Sequence, residues 1–240
     1  MNYESQKLIY RKLKKKGFHP AHVAEVGVFH PETSNLYDFV MDGVRTTLVE
    51  PEPESIKLIK KYFCGKKNVE LHEVAVYSRP GKISLAHRQA STFVIDLESS
   101  PTIVNDGYIV NENDIIEVEA KTFDEIDDGT IDLLSVDIEG SEWFVIQNLV
   151  SRPAVISLET HGAIYTNPKL QELSSWLLKN GYSKWYKDRS DTVYVRKGSI
   201  PITLADKISL AFYEFYLIAR KCRKAVKKKM KETFPRQRHD

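Results

Sequence analysis

The sequence is short of cysteine, and that shortage already narrows what the chain can be. Among 240 residues there are two cysteines, Cys64 and Cys222, and no CxxC pair. Neither a disulfide framework nor a cysteine-rich zinc site can be built from them, and a reducing, cytoplasmic setting is the simple expectation. No run approaches the roughly 20 apolar residues needed to span a bilayer. The opening MNYESQKLIYRKLKKKGF has no long apolar core followed by small residues, so it does not read as a secretory signal. Internal repeats and low-complexity blocks are also missing. So is the three-glycine fingerprint of dinucleotide-binding turns, which removes support for a nicotinamide cofactor.

What remains is ordinary globular material. Hydrophobic residues make up 42% and charged residues 28% of the chain, enough to bury one sizeable core. The net charge of +2 conceals an asymmetry: residues 220–240 hold ten Lys or Arg against two acids, so this tail carries +8 and the other 219 residues carry −6. A mildly acidic body with a basic C-terminus is expected.

Hydrophobic periodicity gives the order of elements. A short basic helix is expected over 3–16, with Leu8, Ile9 and Leu13 on one side. Strands are expected at 21–29, 45–50 and 68–76, separated by helices over 31–43 and 51–63. This β-α-β-α-β opening implies a mainly parallel sheet covered on both faces. Residues 77–114 are less regular and fit either a lid or specificity region or a surface insertion. Order returns at 115–126 and 131–140, followed by a helix over 141–150, a strand at 155–162, and a helix over 167–182 with Leu170, Leu173, Leu177 and Leu178 inward. The segments YSKWYKD and TVYVRK read as a closing antiparallel pair, and one long helix is expected from Pro201 onward. The expected organisation is an N-terminal basic helix (1–19), a doubly wound, mostly parallel α/β domain (20–198) and an amphipathic basic helix and tail (199–240).

Four strand ends carry acids: Glu25 with Gly27, Glu50, Asp137 with Glu139, and Glu159. Open α/β sheets bind ligands outside the carboxyl ends of their strands, so acids repeated along that edge point to a shared polar cleft. Gly27 permits a sharp turn and close approach of a ligand. Glu50, ending the second strand, sits where an acid accepts hydrogen bonds from two ribose hydroxyls.

These segments resemble the FkbM family of S-adenosylmethionine-dependent methyltransferases. EVGVFHPETS (25–34) is similar to the family's first motif, VEPEP (49–53) to its second, VAVYSRPGKISL (74–85) to the segment after the third strand, and IDLLSVDIEGSEWFVI (131–146) to its most specific signature. The likeness spans roughly residues 20–197. It implies a class I, Rossmann-like fold and S-adenosylmethionine as cofactor. It also implies a pocket in which Glu25, Gly27, Phe29 and Ser34 line the methionine end, Glu50 and Pro51 hold the ribose, and Ala75 and Val76 lie near adenine. Asp137 would face the methionine amine or the acceptor. Where the family usually has Asn and a second Gly in the first motif, this chain has Phe29 and Pro31.

Methyl transfer from a sulfonium needs alignment of the acceptor and, for a hydroxyl, a base. His161, following the fifth main strand, is the first candidate on its ordinary pKa, with Asp137 and Glu139 as alternatives. Asp137, Glu139, Glu142 and Glu159 are candidate ligands for a hard cation such as magnesium; Glu142 equally suits a helix N-terminus. The expected activity is O-methylation of a sugar hydroxyl in a glycan or surface polysaccharide. The alternatives are methylation of a small metabolite, or a non-catalytic module that binds the cofactor or a glycan. In the tail, Leu204, Ile208, Ala211, Phe212, Phe215 and Ile218 follow helical spacing ahead of a polybasic run. This suits packing on the domain or on a partner copy in an oligomer, or an amphipathic helix on an anionic membrane surface, which would make the protein peripheral at the inner membrane face. The acidic body argues against nucleic acid, as does the lack of an Asn/Asp-Pro-Pro-Tyr motif.

Overall fold

A computed structural model describes residues 6–88, 92–95, 97, 100–161 and 165–233. Parts of the expected N-terminal helix (3–5), of the irregular stretch (89–91, 96, 98 and 99), of the expected strand over 155–162 (residue 162) and of the basic tail (234–240) lie outside the described residues.

The opening helix, α1 (Leu8–Lys15), buries Ile9, Tyr10 and Leu13. Then β1 (His22–Val26), α2 (Tyr37–Met41), β2 (Arg45–Val49), α3 (Pro53–Tyr62) and β3 (Val69–His72) alternate as the periodicity predicts. Glu52 caps α3 by accepting from the amides of Glu54 (3.0 Å) and Ser55 (2.6 Å), and Pro53 occupies the first turn, where its missing N–H costs nothing. The chain continues through β4 (Ala75–Val76), β5 (Gly81–Ala86), β6 (Phe93–Val94), α4 (Pro101–Asp106) and β7 (Ile115–Lys121). After these come β8 (Leu133–Val136), α5 (Glu142–Gln147), β9 (Val155–Glu159), α6 (Leu170–Lys179), the hairpin β10 (Tyr182–Asp188) and β11 (Asp191–Arg196), and α7 (Leu204–Thr233).

The main sheet has the order β10-β11-β9-β8-β1-β2-β3. β3, β2, β1, β8 and β9 are parallel, and β11 runs antiparallel to both of its neighbours. After β3 the chain returns to the other side of β1, so the topological switch point lies between β1 and β8. Alternate strand residues feed opposite faces. Ala24, Val26 and Val49 pack with Val145 and Ile146 of α5 and Leu173 and Leu177 of α6. Val23 packs with Ile9, Leu13 and Phe39 of the α1–α2 face, and Leu48 with Ile59 of α3. The doubly wound expectation holds.

The structure corrects two details. The expected strand over 68–76 is two strands: β4 leaves the main sheet and pairs in parallel with Ala120 and Lys121 in a second sheet of order β4-β7-β5-β6. Leu178 is not inward but 78% exposed, because α6 meets the sheet along the Leu173–Leu177 line. No helix among the described residues is long and apolar enough to cross a membrane.

Candidate active site

Strand register brings the acids together. Val26 pairs with Val49 and with Val136, and Val136 pairs with Leu158. Glu25, Glu50, Asp137 and Glu159 therefore stand within one residue of a common sheet edge. A cavity of about 720 Å³ opens there, within the roughly 300–1,000 Å³ usual for small-molecule sites. Glu25, Gly27, Phe29, Glu50, Pro51, Ala75, Val76, Asp137 and Glu139 all line it.

The turn after β1 is held by backbone. The Gly27 amide donates to the Val49 carbonyl (3.0 Å), and the Asp137 amide to that of Val26 (3.0 Å). Gly27 has φ +83°, and a Cβ there would lie 1.9 Å from the Asp137 carbonyl oxygen, so only glycine fits. The loop then folds over Glu50, whose Oε2 accepts from the amides of Val28 (2.9 Å) and Phe29 (2.8 Å) and whose Oε1 accepts from Glu52 (3.0 Å). Phe29 sits at φ +55°, a left-handed conformation that asparagine adopts more readily than a bulky side chain. Its ring stacks on His30, centroids 3.9 Å apart.

Glu25 is buried and accepts from the Ser34 hydroxyl and from the Asn35 amide (2.8 Å). Ser34 does not line the cavity; it acts on the site through Glu25. Glu142, fully buried, accepts from the amides of Ile138 (3.2 Å) and Gly140 (3.1 Å) and from the Asn167 side chain. It clamps the turn carrying Asp137 and Glu139 from behind. Glu139 has φ +55°. Among the described residues, oxygens of Asp137, Glu139 and Glu159 lie within 4.8 Å of one another; Glu142 is outside this group.

His161 is buried behind the cavity wall rather than in it. Its Nδ1 is 3.0 Å from the Thr160 hydroxyl, and its amide donates to the Ser190 carbonyl (3.2 Å). Burial, then the charges of Lys187 and Lys221, push its pKa down to about 4.

Several lining residues gave no sequence signal. Asn35 donates to Ser135 (3.2 Å) and to Asp191 (3.3 Å) across the sheet edge. Arg189 comes from the β10–β11 turn and Asp191 from the start of β11, and Lys7 and Arg11 come from the N-cap and body of α1. None stands at the end of a parallel strand, Asn35 lying nine residues past β1, so strand-end logic does not reach them.

The electrostatics are lopsided. Burial pushes Glu25 and Glu142 up to about 7. It also raises Asp137, against a hydrogen bond with Glu159, and raises Glu159 further because Asp137, Glu139 and Glu142 are close. Burial, then Asp137, raises Asp191 well above the carboxylate range. Such a cluster favours a cationic occupant. It also sets a pH dependence. For Glu25 and Glu142 the folded pKa lies above the ordinary 4.5, so their contribution to stability is present below 4.5 and lost as pH rises through about 7. His161 acts oppositely, its contribution falling away between 6.5 and about 4. With several acids against two histidines, His161 and His22, both lowered by burial, the thermal midpoint of the ligand-free protein is expected to fall as pH rises from 5 to 8 (about the window of these shifts); a midpoint that rises across this range would contradict the acid cluster.

A family model described as the methyltransferase FkbM domain matches residues 21–184. No curated protein sequence matches the chain. Similar solved structures include a provisional caffeoyl-CoA O-methyltransferase from Staphylococcus aureus (12% identity, 82% of this chain and 84% of that chain covered, TM-score 0.47). A SAM-dependent methyltransferase from Aquifex aeolicus (13%, 80% and 90%, 0.41) and a ribosomal protein L11 methylase from Lactobacillus delbrueckii subsp. bulgaricus (12%, 82% and 80%, 0.40) are similar too. The family match covers both glycine-acid motifs, the Asp137–Glu142 turn and the sheet edge that joins them; the chain belongs to the FkbM family of S-adenosylmethionine-dependent methyltransferases.

Proposed function

We propose that the chain transfers the methyl group of S-adenosylmethionine to a hydroxyl of a sugar in a glycan or surface polysaccharide. The observation that carries the reading is the single cavity edge on which Gly27, Glu50 and Asp137 converge. The cofactor supplies a methyl group already activated on a sulfonium. Glu50 suits the ribose hydroxyls, Ala75 and Val76 the adenine, and Glu25, oriented by Ser34, the cationic methionine end. Asp137 lines the cavity and has its pKa raised by burial, which suits a base for an acceptor hydroxyl. This favours Asp137 over the enclosed His161 for that role. A small metabolite is the alternative acceptor, and a non-catalytic cofactor- or glycan-binding module is the alternative to an enzyme.

The three neighbouring carboxylates also fit a hard divalent cation such as magnesium. Among the described residues, Glu159 Oε2 is buried without a hydrogen-bond partner, an acceptor that a cation would satisfy. Asp137, Glu139 and Glu159 would hold the metal, whose positive charge would then promote loss of the acceptor proton in place of a free Asp137 carboxylate.

The test is calorimetric titration with S-adenosylhomocysteine for wild type, Glu50→Ala and Glu50→Gln. Wild-type binding that weakens about tenfold or more in both folded variants is expected, since charged hydrogen bonds contribute about 1.5–3 kcal/mol. Methyl transfer to soluble glycans, with magnesium or with a chelator, then separates the acceptor and metal readings. Absence of binding in folded wild type would favour the non-catalytic alternative.

A further inference from the structure

The long C-terminal helix packs with the unexpected side inward. α7 lies against β10, and its half-buried residues among those described are Asp206, Leu210, Tyr213, Glu214, Leu217, Lys221 and Lys224. Polar contacts fix this side: Asp206 to Lys16 (2.7 Å), Glu214 to Lys184 (2.8 Å) and Lys221 to the Thr166 hydroxyl (2.7 Å). The opposite side is the apolar stripe. Leu204 is 73% exposed, Phe212 72%, Phe215 71% and Ile218 62%, with Ile208 also exposed. A soluble helix normally buries its apolar face, and here large side chains along about four turns, two of them phenylalanines, face outward.

We infer that this face of α7 is a docking surface for an anionic phospholipid membrane. Charge selects lipid as the occupant. Lys207, Arg220 and Arg223 are exposed beside the stripe, and the sequence continues with Lys227, Lys228, Lys229 and Lys231. An apolar strip flanked by basic residues is the pattern of an interfacial helix, with the apolar residues at the acyl boundary and the cations at anionic headgroups. The rest of the chain carries −6 against +8 in residues 220–240, so an anionic surface draws this end in and repels the body. A second copy is the poorer fit, because pairing two stripes side by side in parallel would bring two polybasic ends together.

The helix also has direction. From Asp206, beside the end of α1, it climbs past Lys184 to Thr166, which follows β9 on the side where the parallel strands end. Twelve further helical residues after Lys221 extend about 18 Å at 1.5 Å per residue. The basic end is thus carried to the same edge of the sheet as the cavity. The inference stands on the exposed helix face and does not depend on the acceptor.

The experiment is co-sedimentation of the full chain with phosphatidylcholine vesicles, with and without phosphatidylglycerol, for wild type and F212E/F215E. Wild type is expected to pellet with the anionic vesicles, to be released by salt, and to lose at least about tenfold in partitioning in the double variant. Titration with S-adenosylhomocysteine shows that the variant is folded, since neither phenylalanine lines the cavity. No sedimentation with anionic vesicles, or equal sedimentation of the double variant, would overturn the inference. So would a dimer in analytical ultracentrifugation that F212E/F215E dissolves, which would assign the face to a second copy.

Discussion

Gly27→Ala is expected to abolish S-adenosylhomocysteine binding and to destabilise the protein by about 2–5 kcal/mol, the sum of a left-handed backbone penalty and an overpacking cost. The added Cβ meets the Asp137 carbonyl oxygen at 1.9 Å, the Asp137 carbonyl carbon at 2.9 Å and the Ile138 Cγ2 at 2.9 Å. A flexible side chain could swing away, but a backbone carbonyl fixed at both ends cannot. The Asp137 amide is bonded to Val26, and Glu142 holds the amides of Ile138 and Gly140. Relief must come from moving the ends of β1 and β8 apart, and those two strand ends are the floor of the cavity. Gly43 is the control. It has nearly the same φ, +82°, but a Cβ there has nothing within 4 Å, so Gly43→Ala should cost only the backbone penalty of about 1–2 kcal/mol and leave binding intact. Thermal unfolding and calorimetry on the two variants separate strain from clash. Binding retained by Gly27→Ala would mean that the turn after β1 does not shape the cofactor pocket.

The contrast between these two glycines shows where sequence reading stops. Gly27 reads as a sharp turn open to a ligand, but nothing local shows the Asp137 carbonyl that stands behind it and has no counterpart behind Gly43. The parallel half of the main sheet was legible because four of its five strands are short apolar runs with an acid at or beside the end, and each intervening helix repeats its apolar residues every three or four positions. The second sheet was not: β4 and β6 are two residues each, too short to show a period, and what holds β4 is pairing with Ala120 and Lys121, far along the chain. The acids at the strand ends were legible as a group because parallel strands must align their ends. Asn35, Arg189 and Asp191 were not, since they reach the cavity from a turn and an antiparallel hairpin. α7 shows the remaining limit. Periodicity identifies an apolar stripe, but which side meets the protein depends on partners such as Lys16 and Lys184, which lie in other elements.

Asp137→Asn is expected to lower kcat by about 100- to 10,000-fold, the usual contribution of a positioned base, with S-adenosylhomocysteine still bound. His161→Asn should cost far less. The reason is access. Asp137 lines the cavity where β8 ends at the switch point, while His161 is buried among Thr160, Ser190 and the lysines that depress its pKa. An imidazole held near 4 is neutral at working pH but has little basicity to offer, and His161 is not among the residues that line the cavity. Asp137 has the opposite bias. Burial raises its affinity for a proton, and its hydrogen bond with Glu159, itself pushed toward the protonated form, keeps that rise in check. A carboxylate so placed is ionised at neutral pH yet basic enough to take a hydroxyl proton as the methyl group transfers. The sign of the pH dependence follows: kcat should fall as pH drops through the raised pKa of Asp137, giving an acid limb above the ordinary carboxylate range, and Asp137→Asn should remove that limb along with the rate. A kcat profile in which His161→Asn abolishes the limb, and Asp137→Asn does not, would transfer the base role to His161 and require the wall between Thr160 and Ser190 to open during turnover.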